Sequence, residues 1–558
     1  MSPSGLSSTA ALIAAHHALN VDTGFISAMS AGDRARMIGL AAHAGAPLAG
    51  QMEFCHVLRK NAYSCERLGE PRDDAVNGRD LAAGVFKDTQ PRTSASDRAK
   101  FCAWQLMNTQ ENDSKVYVSA DVARRTLAEW DARDAERLLV PHSTRAGAVT
   151  TRDLAAKQAS INALWADSVV VVPPEAADAP GLDALDDAQR AGARRVLGSP
   201  ASLLTGMGGT GKSWVVRHVL AAVQASGAAV VCLAPTHKAK YNISRAVPPE
   251  VDVSTIHSYT LGLRRSEPQD ELLVVIDESS MLDIDTVGDF AQALQERVAR
   301  WQLLLVGDEA QLPPVGRGEC FRLAVRHAKD VVVRLTHCYR AAFSTMFDFH
   351  LAVRGGELPP GDGDVAIVRV LPDDRAVMAA VADTVHERGA ALTYIAWRNA
   401  DVDVVNKMVQ ARETGEPRAG QAFNAGDAVI YVGDNKPAEG LTNAMCGRVV
   451  AVQRYSVEID WDGSDFDTAR VPVRDVRLAY CLTVHKAQGS GFGEVCVVCT
   501  SSAGMLARLD RRWLYTAVSR AQHHVLVLCT KSARALAAKA PPAAPLSSLS
   551  FRPPALQR

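Results

Sequence analysis

Residues 206–213 read Gly-Met-Gly-Gly-Thr-Gly-Lys-Ser and match the phosphate-binding pattern G-x-x-x-x-G-K-[ST] without a mismatch. Gly206, Gly208, Gly209 and Gly211, around Thr210, let the backbone turn tightly enough for its N–H groups to face a phosphate. Lys212 supplies a point charge for the β- and γ-phosphates, and the Ser213 hydroxyl is a ligand for Mg2+. A second group of the same kind is Asp277-Glu278, which ends the apolar run Glu271 to Ile276. In a phosphoryl-transfer site the first acid holds Mg2+ through water and the second acts as general base on the attacking water. Taken alone, the loop could be a glycine-rich turn that binds nothing, and a lone acid pair would be weak evidence.

The flanking elements decide between these readings. Ala201 to Thr205 predicts a short buried strand before the loop, and the run from Ser213 has helical apolar spacing after it. Ala228–Ala234, Glu271–Ile276 and Leu303–Val306 predict further buried strands. They end in Pro235-Thr236-His237-Lys238, in Asp277-Glu278 and in Gly307-Asp308-Glu309-Ala310-Gln311. Strands alternating with helices, with polar residues at their carboxyl ends, describe a parallel α/β sheet whose ligand lies outside those ends.

At 558 residues the chain has room for about three or four domains. Its 47% hydrophobic and 22% charged residues are ordinary for a soluble globular protein. A net charge of −1 gives no global basic signature, so nucleic-acid binding must come from local grooves. No apolar run reaches the length of about 18 residues that a membrane span needs, and the N-terminus lacks the basic start of a signal peptide. Eleven scattered cysteines suggest reduced thiols in a cytoplasmic compartment, the host cytoplasm for a phage or viral protein. Cys496 and Cys499 form a CxxC within a β-branched run, where positions i and i+3 face opposite sides and cannot share an ion. Cys55, His56, Cys65 and Cys102 lack zinc-finger spacing, which leaves buried free thiols as the default.

From Leu182 to Thr530 the chain resembles a superfamily 1 helicase of the RecD/Dda-like (1B) branch. The segments Leu182–Ala191, 206–213, Leu233–Lys240, Ser254–Ser258, Ile276–Met281, Gly307–Gly316, Leu335–Arg340, Tyr480–Phe492 and Leu514–Ala521 resemble its motifs in family order. The resemblance implies an ATP- and Mg2+-dependent motor moving 5′→3′ on single-stranded DNA. Gln189 would read adenine, Gln311 would contact the γ-phosphate, Arg340 and Arg520 would be arginine fingers, and Gly489 would border the nucleotide. It also implies a strand path along Pro235, Thr236, His237, Thr255, His257, Thr483, His485 and Lys486. Such hydroxyls, imidazoles and amines suit phosphate and sugar contacts. Trp397 or Arg398 could offer a stacking surface to a base, although packing is the default for the tryptophan.

The implied fold class is α/β with two RecA-like lobes built on parallel sheets, residues 179–332 and 333–530. A small SH3-like barrel would interrupt the second lobe near 415–477, where GDAVIYVGDN, GRVVAV and YSVEIDW read as short strands. Residues 1–178 would form a mainly helical domain, with one helix over Ala120–Leu139 from a Ser119 cap and others within Met37–Lys60. This region would dock nucleic acid or a protein partner, or serve as a structural cap. It has no His-x-His cluster, and His16-His17 alone is a poor match to a relaxase. The Ala/Pro/Ser-rich tail 531–558 is expected to be loosely ordered. The branch usually carries a strand-splitting β-hairpin before the Asp277 strand. Here only Tyr259–Asp270 is available, enough for a stubby hairpin or a plain loop. Two other functions stay open: an RNA helicase of viral type, and a nucleotide-regulated clamp with little turnover.

Overall fold

The computed structural model describes residues 117–129, 139–141, 148–337, 344–360, 363–433, 441, 443–462, 468–501, 509–541, 549 and 551. The chain divides into two compact units, Met1–Ala156 with Pro545–Ser548 and Lys157–Ala544 with Leu549–Arg558. Among the described residues, no helix is long and apolar enough to cross a membrane.

In the first unit, strands Val118–Ser119, Leu139–Pro141 and Ala148–Thr151 form an antiparallel sheet with the third strand in the middle. The helix expected over Ala120–Leu139 is described as Ala120–Glu129. Leu139 lies instead in a strand, paired with Thr151. The segment Met37–Lys60, His16, His17, Cys55, His56, Cys65 and Cys102 lie outside the described residues.

The second unit holds two parallel sheets and one antiparallel sheet. The first contains β1 (Ala201–Gly206), β2 (Val230–Ala234), β3 (Asp252–Thr255), β4 (Gln269–Ile276), β5 (Val298–Gly307) and β6 (Val332–Leu335), in the order β3-β2-β4-β5-β1-β6. All neighbours are parallel. Its helices are α1 (Asp187–Leu197), α2 (Lys212–Ala225), α3 (His237–Ser244), α4 (Ile256–Leu263), α5 (Ile284–Arg297) and α6 (Cys320–His327). Leu204, Leu273, Val275 and Leu304 pack with Val215 and Val219 of α2 in one buried cluster, the burial that a helix-covered parallel sheet requires.

Two boundaries differ from the sequence reading. β6, expected to open the second lobe at residue 333, pairs with β1 and belongs to the first sheet. Residues 168–172, expected in the N-terminal region, lie in the compact unit that begins at Lys157, and the Val169 N–H donates to the Trp301 carbonyl of β5 at 2.8 Å. Gln302 in β5 explains this. Its buried amide donates to the carbonyls of Val196, Leu197 and Ser199 at 2.9–3.0 Å and accepts from Val171 and Val172 N–H at 3.1 Å.

The second lobe contains α7 (Ser344–Gly355), β7 (Ala366–Leu371), α8 (Asp374–Arg388), β8 (Thr393–Ala396) and α9 (Asn399–Glu413). The insertion follows as β9 (Ala428–Tyr431), β10 (Cys446–Val452), β11 (Ser456–Trp461), β12 (Ala469–Pro472) and β13 (Val476–Leu478). The lobe resumes with β14 (Cys481–Thr483), α10 (Val484–Ala487), β15 (Phe492–Cys499), α11 (Arg511–Val518), β16 (Ala521–Thr530) and α12 (Lys531–Arg534). The lobe sheet is parallel in the order β7-β16-β15-β8-β14. The insertion is an antiparallel sheet, β12-β11-β10-β9-β13, around Tyr431, Val457, Ile459 and Trp461. On β15, Cys496 and Cys499 enter two different buried clusters, as alternation along a strand demands.

Two local expectations fail. The segment after Thr255 forms no hairpin: α4 runs to Leu263 and β4 begins at Gln269. Thr255 caps this helix, and Ile256, Thr260 and Leu263 bury one face at helical spacing. The tail is partly ordered as well. Leu536, Ala537, Leu549 and Phe551 are buried, and the Phe551 ring meets Trp165 edge-on at 5.4 Å.

Candidate nucleotide and nucleic-acid site

The end of β1 delivers the chain into the glycine loop. Gly209 (φ 85°) and Gly211 (φ 82°) adopt left-handed backbone conformations that side chains disfavour, which explains glycine at both positions. Lys212, first residue of α2, lays its ammonium across the loop, 2.7 Å from the Gly206 carbonyl and 3.0 Å from that of Met207. Thr210 is buried and donates to the Met207 carbonyl at 2.8 Å. Ser213 follows on the same helix.

Asp277 and Glu278 leave the end of β4 beside this loop. Burial and the neighbouring Glu278 push the Asp277 carboxyl up to about 7, against the pull of Lys212. Glu278 takes a left-handed backbone (φ 49°) although it is not glycine, a strained conformation typical of functional turns. Two acids with one lysine leave local charge that a hard cation would balance, and the Ser213 hydroxyl with the Asp277 carboxylate is the oxygen donor set such an ion prefers. Gln189 is buried in the first turn of α1, whose N-cap Asp186 accepts from the N–H groups of Ala188 and Gln189. Gln311 is buried after β5; its Oε1 and the Ser280 Oγ have no hydrogen-bond partner and line one small cavity. Such orphaned groups are unusual outside ligand sites.

The second lobe meets this site directly. Thr516 Oγ1 on α11 accepts from Leu312 N–H at 2.9 Å, and the Tyr515 hydroxyl donates to Asp308 at 2.5 Å. Arg512, on the same face of α11, binds Glu319 at 3.0 Å and its neighbour Asp510. Arg520 lies just beyond α11, buried, donating to the carbonyls of Thr516 and Ser490 at 3.1 Å. Gly489 (φ 73°) accepts through its carbonyl from Asn242 of α3. Arg340 lies outside the described residues.

Sequence reasoning did not single out Glu309, Glu319, Arg354, Arg512, Tyr515 or Trp214. Most sit inside or beside recognised segments, but Arg354 on α7 belongs to none. Glu309 binds Thr205 at the end of β1, Arg334 (2.6 Å) and Arg354 (3.1 Å). Burial opposes ionisation of Glu309, but these partners outweigh it and hold the carboxyl below its ordinary range.

The rim residues behave less simply. Thr236, Thr255 and Thr483 each cap the helix that follows, accepting from the N–H of Ala239, Ser258 and Lys486. Their types are explained by local structure, and capping fixes each at the end of a strand. His257 is exposed on α4. Burial and Lys240 lower the His237 pKa, favouring the neutral ring. Trp397 is half-buried against the core, 5.9 Å from the His485 ring and edge-on to Trp513 at 6.4 Å, so packing claims most of its surface. Arg398 is held by both oxygens of Asp401 at 2.6 and 2.9 Å and is not a free stacking plane. A cleft of about 570 Å³ between α9 and the insertion carries Lys407, Arg474, Arg477, Thr483 and Lys486.

Two parallel sheets in one unit, with a phosphate loop on the first and an arginine-bearing helix of the second bonded to its rim, define a two-lobed P-loop architecture. Comparison with known proteins narrows this. Residues 184–371 match the model of an AAA domain, and residues 478–528 that of a UvrD-like helicase C-terminal domain. The ATP-dependent RecD2 DNA helicase of Deinococcus radiodurans is 28% identical over 82% of this chain. This chain spans 62% of that protein's length. The RecBCD enzyme subunit RecD of Mycolicibacterium smegmatis is 28% identical over 61% of this chain and 70% of its own. A solved structure of Pif1 helicases at forked double-stranded DNA aligns with a TM-score of 0.44 at 18% identity, over 63% of this chain and 94% of its own. By these matches the chain resembles RecD-like helicases of superfamily 1B.

Proposed function

We propose that this chain is an ATP-dependent DNA helicase or translocase that moves 5′→3′ on single-stranded DNA. The observation that carries the reading is the direct bonding of α11, which leads to Arg520, onto the loop that carries Gln311. A change at the phosphates thereby reaches the second lobe. Phosphoryl transfer needs charge stabilisation more than covalent chemistry. Lys212 and the loop N–H groups bind the phosphates, and Gln189 contacts the adenine. Glu278 takes the proton of the attacking water, and Gln311 senses the γ-phosphate. Arg520, with Arg340, supplies charge from the far side when the lobes close. Ser213 and Asp277 would hold Mg2+, which neutralises phosphate charge when bound.

Pro235, Thr236, His237, Thr255 and His257 of the first lobe and Thr483, His485 and Lys486 of the second form the strand track. We read the five-stranded insertion as the SH3-like barrel of the branch, with the basic cleft beside it extending the track. A clamp that hydrolyses slowly would have no use for Glu278 together with Arg520, which favours the motor. Because α4 occupies the place of the branch's hairpin, any strand-separating wedge lies elsewhere. Strand displacement on forked duplexes with a 5′ tail, a 3′ tail or both, with ATPase read alongside, tests the proposal. Displacement that needs the 5′ tail supports it. Dependence on the 3′ tail overturns the direction, and absence of strand-stimulated ATPase overturns the motor.

A further inference from the structure

The phosphate loop and Arg520 are joined by a path that does not run through nucleotide. Thr205, last but one in β1, hydrogen-bonds Glu309. Glu309 binds Arg354 at 3.1 Å, and Arg354 also reaches Asp308 at 3.5 Å. Asp308 is fully buried and accepts from the Tyr515 hydroxyl at 2.5 Å and from Ala310 N–H at 3.0 Å. The Arg354 guanidinium faces the Tyr515 ring at 6.0 Å. Arg354 therefore bridges both acids of the first lobe and the aromatic ring of the second, a task for a planar fork rather than a point charge.

The helix it secures is α11. Arg512, Tyr515 and Thr516 stand at i, i+3 and i+4 on one face, all bonded to the segment 308–319 of the first lobe. One turn later Arg520 is tied to the carbonyls of Thr516 and Ser490. α7 grips the same helix at its other end, where His350 bonds the Val518 carbonyl at 2.9 Å. With α11 held at both ends, a shift of the Asp308-Glu309 turn moves Arg520 as part of a rigid body.

We propose that Arg354 is a positioning residue for Arg520. By locking Asp308 and Glu309 to Tyr515, it fixes where α11 presents the arginine to the phosphates. The inference rests on the motor reading above. It predicts that the group acts on turnover and not on ATP binding.

The test is steady-state ATPase with saturating poly(dT) on the full chain carrying Arg354→Met, Arg354→Lys, Tyr515→Phe and the Arg354→Met/Tyr515→Phe pair. Arg354→Met is expected to lower kcat about tenfold or more with KM for ATP within about twofold, and Arg354→Lys to recover part of the loss. Tyr515→Phe should also lower kcat, and the pair should lose no more than the worse single change, because the two act as one unit. Unchanged kcat in the folded variants, a KM that rises in step, or losses that multiply would overturn it. Circular dichroism and thermal midpoints are read for each. If Arg354→Met does not fold, Arg354→Lys and Tyr515→Phe decide alone. Lys212→Ala runs beside them: turnover persisting there removes the motor reading itself, whereas loss there with Arg354 variants at full rate removes only the positioning role.

Discussion

Replacing His350 with glutamine should relieve the second lobe of an acid sensitivity built into α7. His350 is 7% exposed, and its Nε2 hydrogen-bonds the Val518 carbonyl at 2.9 Å. Burial, helped by the nearby Arg520 and opposed by that hydrogen bond, lowers its pKa from 6.5 to about 4. The folded state therefore refuses a proton that the unfolded chain accepts. The stability involved is intact above pH 6.5, falls as pH drops from 6.5 towards 4, and stays lost below. A gap of about 2.5 pH units corresponds to about 3 kcal/mol, of which about 2 kcal/mol is lost by pH 5. Asp277 works in the opposite sense. Its folded pKa is raised from 3.8 to about 7, so its buried charge costs stability above pH 3.8, and that cost fades as pH falls through 7. The wild-type profile thus mixes opposing terms, with His237 and Glu309 adding theirs, and only the comparison with His350→Gln isolates the histidine. Glutamine keeps an N–H donor for Val518 and cannot titrate. Urea unfolding at pH 7 and pH 5 is the assay: the variant should gain about 2 kcal/mol relative to wild type between the two. Equal differences at both pH values, or an imidazole that titrates above pH 6 by NMR, would refute the reasoning.

Three further outcomes follow from the site. Gly206→Ala should abolish nucleotide binding in an equilibrium assay, because the added carbon would lie 2.5 Å from Thr210 Oγ1 and 2.7 Å from the Leu335 carbonyl. Trp214 directly follows Ser213, is 45% exposed and meets the His218 ring at 4.4 Å. Intrinsic fluorescence should change on adding Mg2+ and ATP, and Trp214→Phe should remove most of that change; an undiminished signal would place the reporter elsewhere. Thr255→Ala should lose about 1 kcal/mol of stability as a helix cap and weaken poly(dT) binding, while Thr255→Ser should keep both; normal binding by the alanine variant would make Thr255 a cap alone.

What the sequence made legible was what neighbours in the chain determine. The phosphate loop, the apolar strand before Asp277 and the polar ends of β2 and β5 are each set within about ten residues, so residue type and spacing were enough to place them. The misread segments share a different cause. β6 was given to the second lobe because nothing local shows that its partner is β1, more than a hundred residues earlier. Residues 168–172 were given to the N-terminal region because Gln302, which holds two of them, reads as an ordinary strand residue. In the segment after Thr255, a helix cap and three buried positions at helical spacing outweighed the hairpin that the resemblance led one to seek.

The same division runs through the site. Lys212, Asp277 and Glu278 could be proposed as site residues because their chemistry is intrinsic to the type: an amine for phosphate, paired acids for a cation and a water. Arg354 could not, because an arginine between apolar and glycine residues near the end of a helix has an exposed ion pair as its ordinary fate. Its meaning arises only when folding brings Asp308, a fully buried acid, to the hydroxyl of Tyr515 across more than two hundred residues. A buried carboxylate cannot be left without partners. The fold that hides Asp308 therefore needs donors from the second lobe, and that need ties the two lobes together through the segment that carries Gln311.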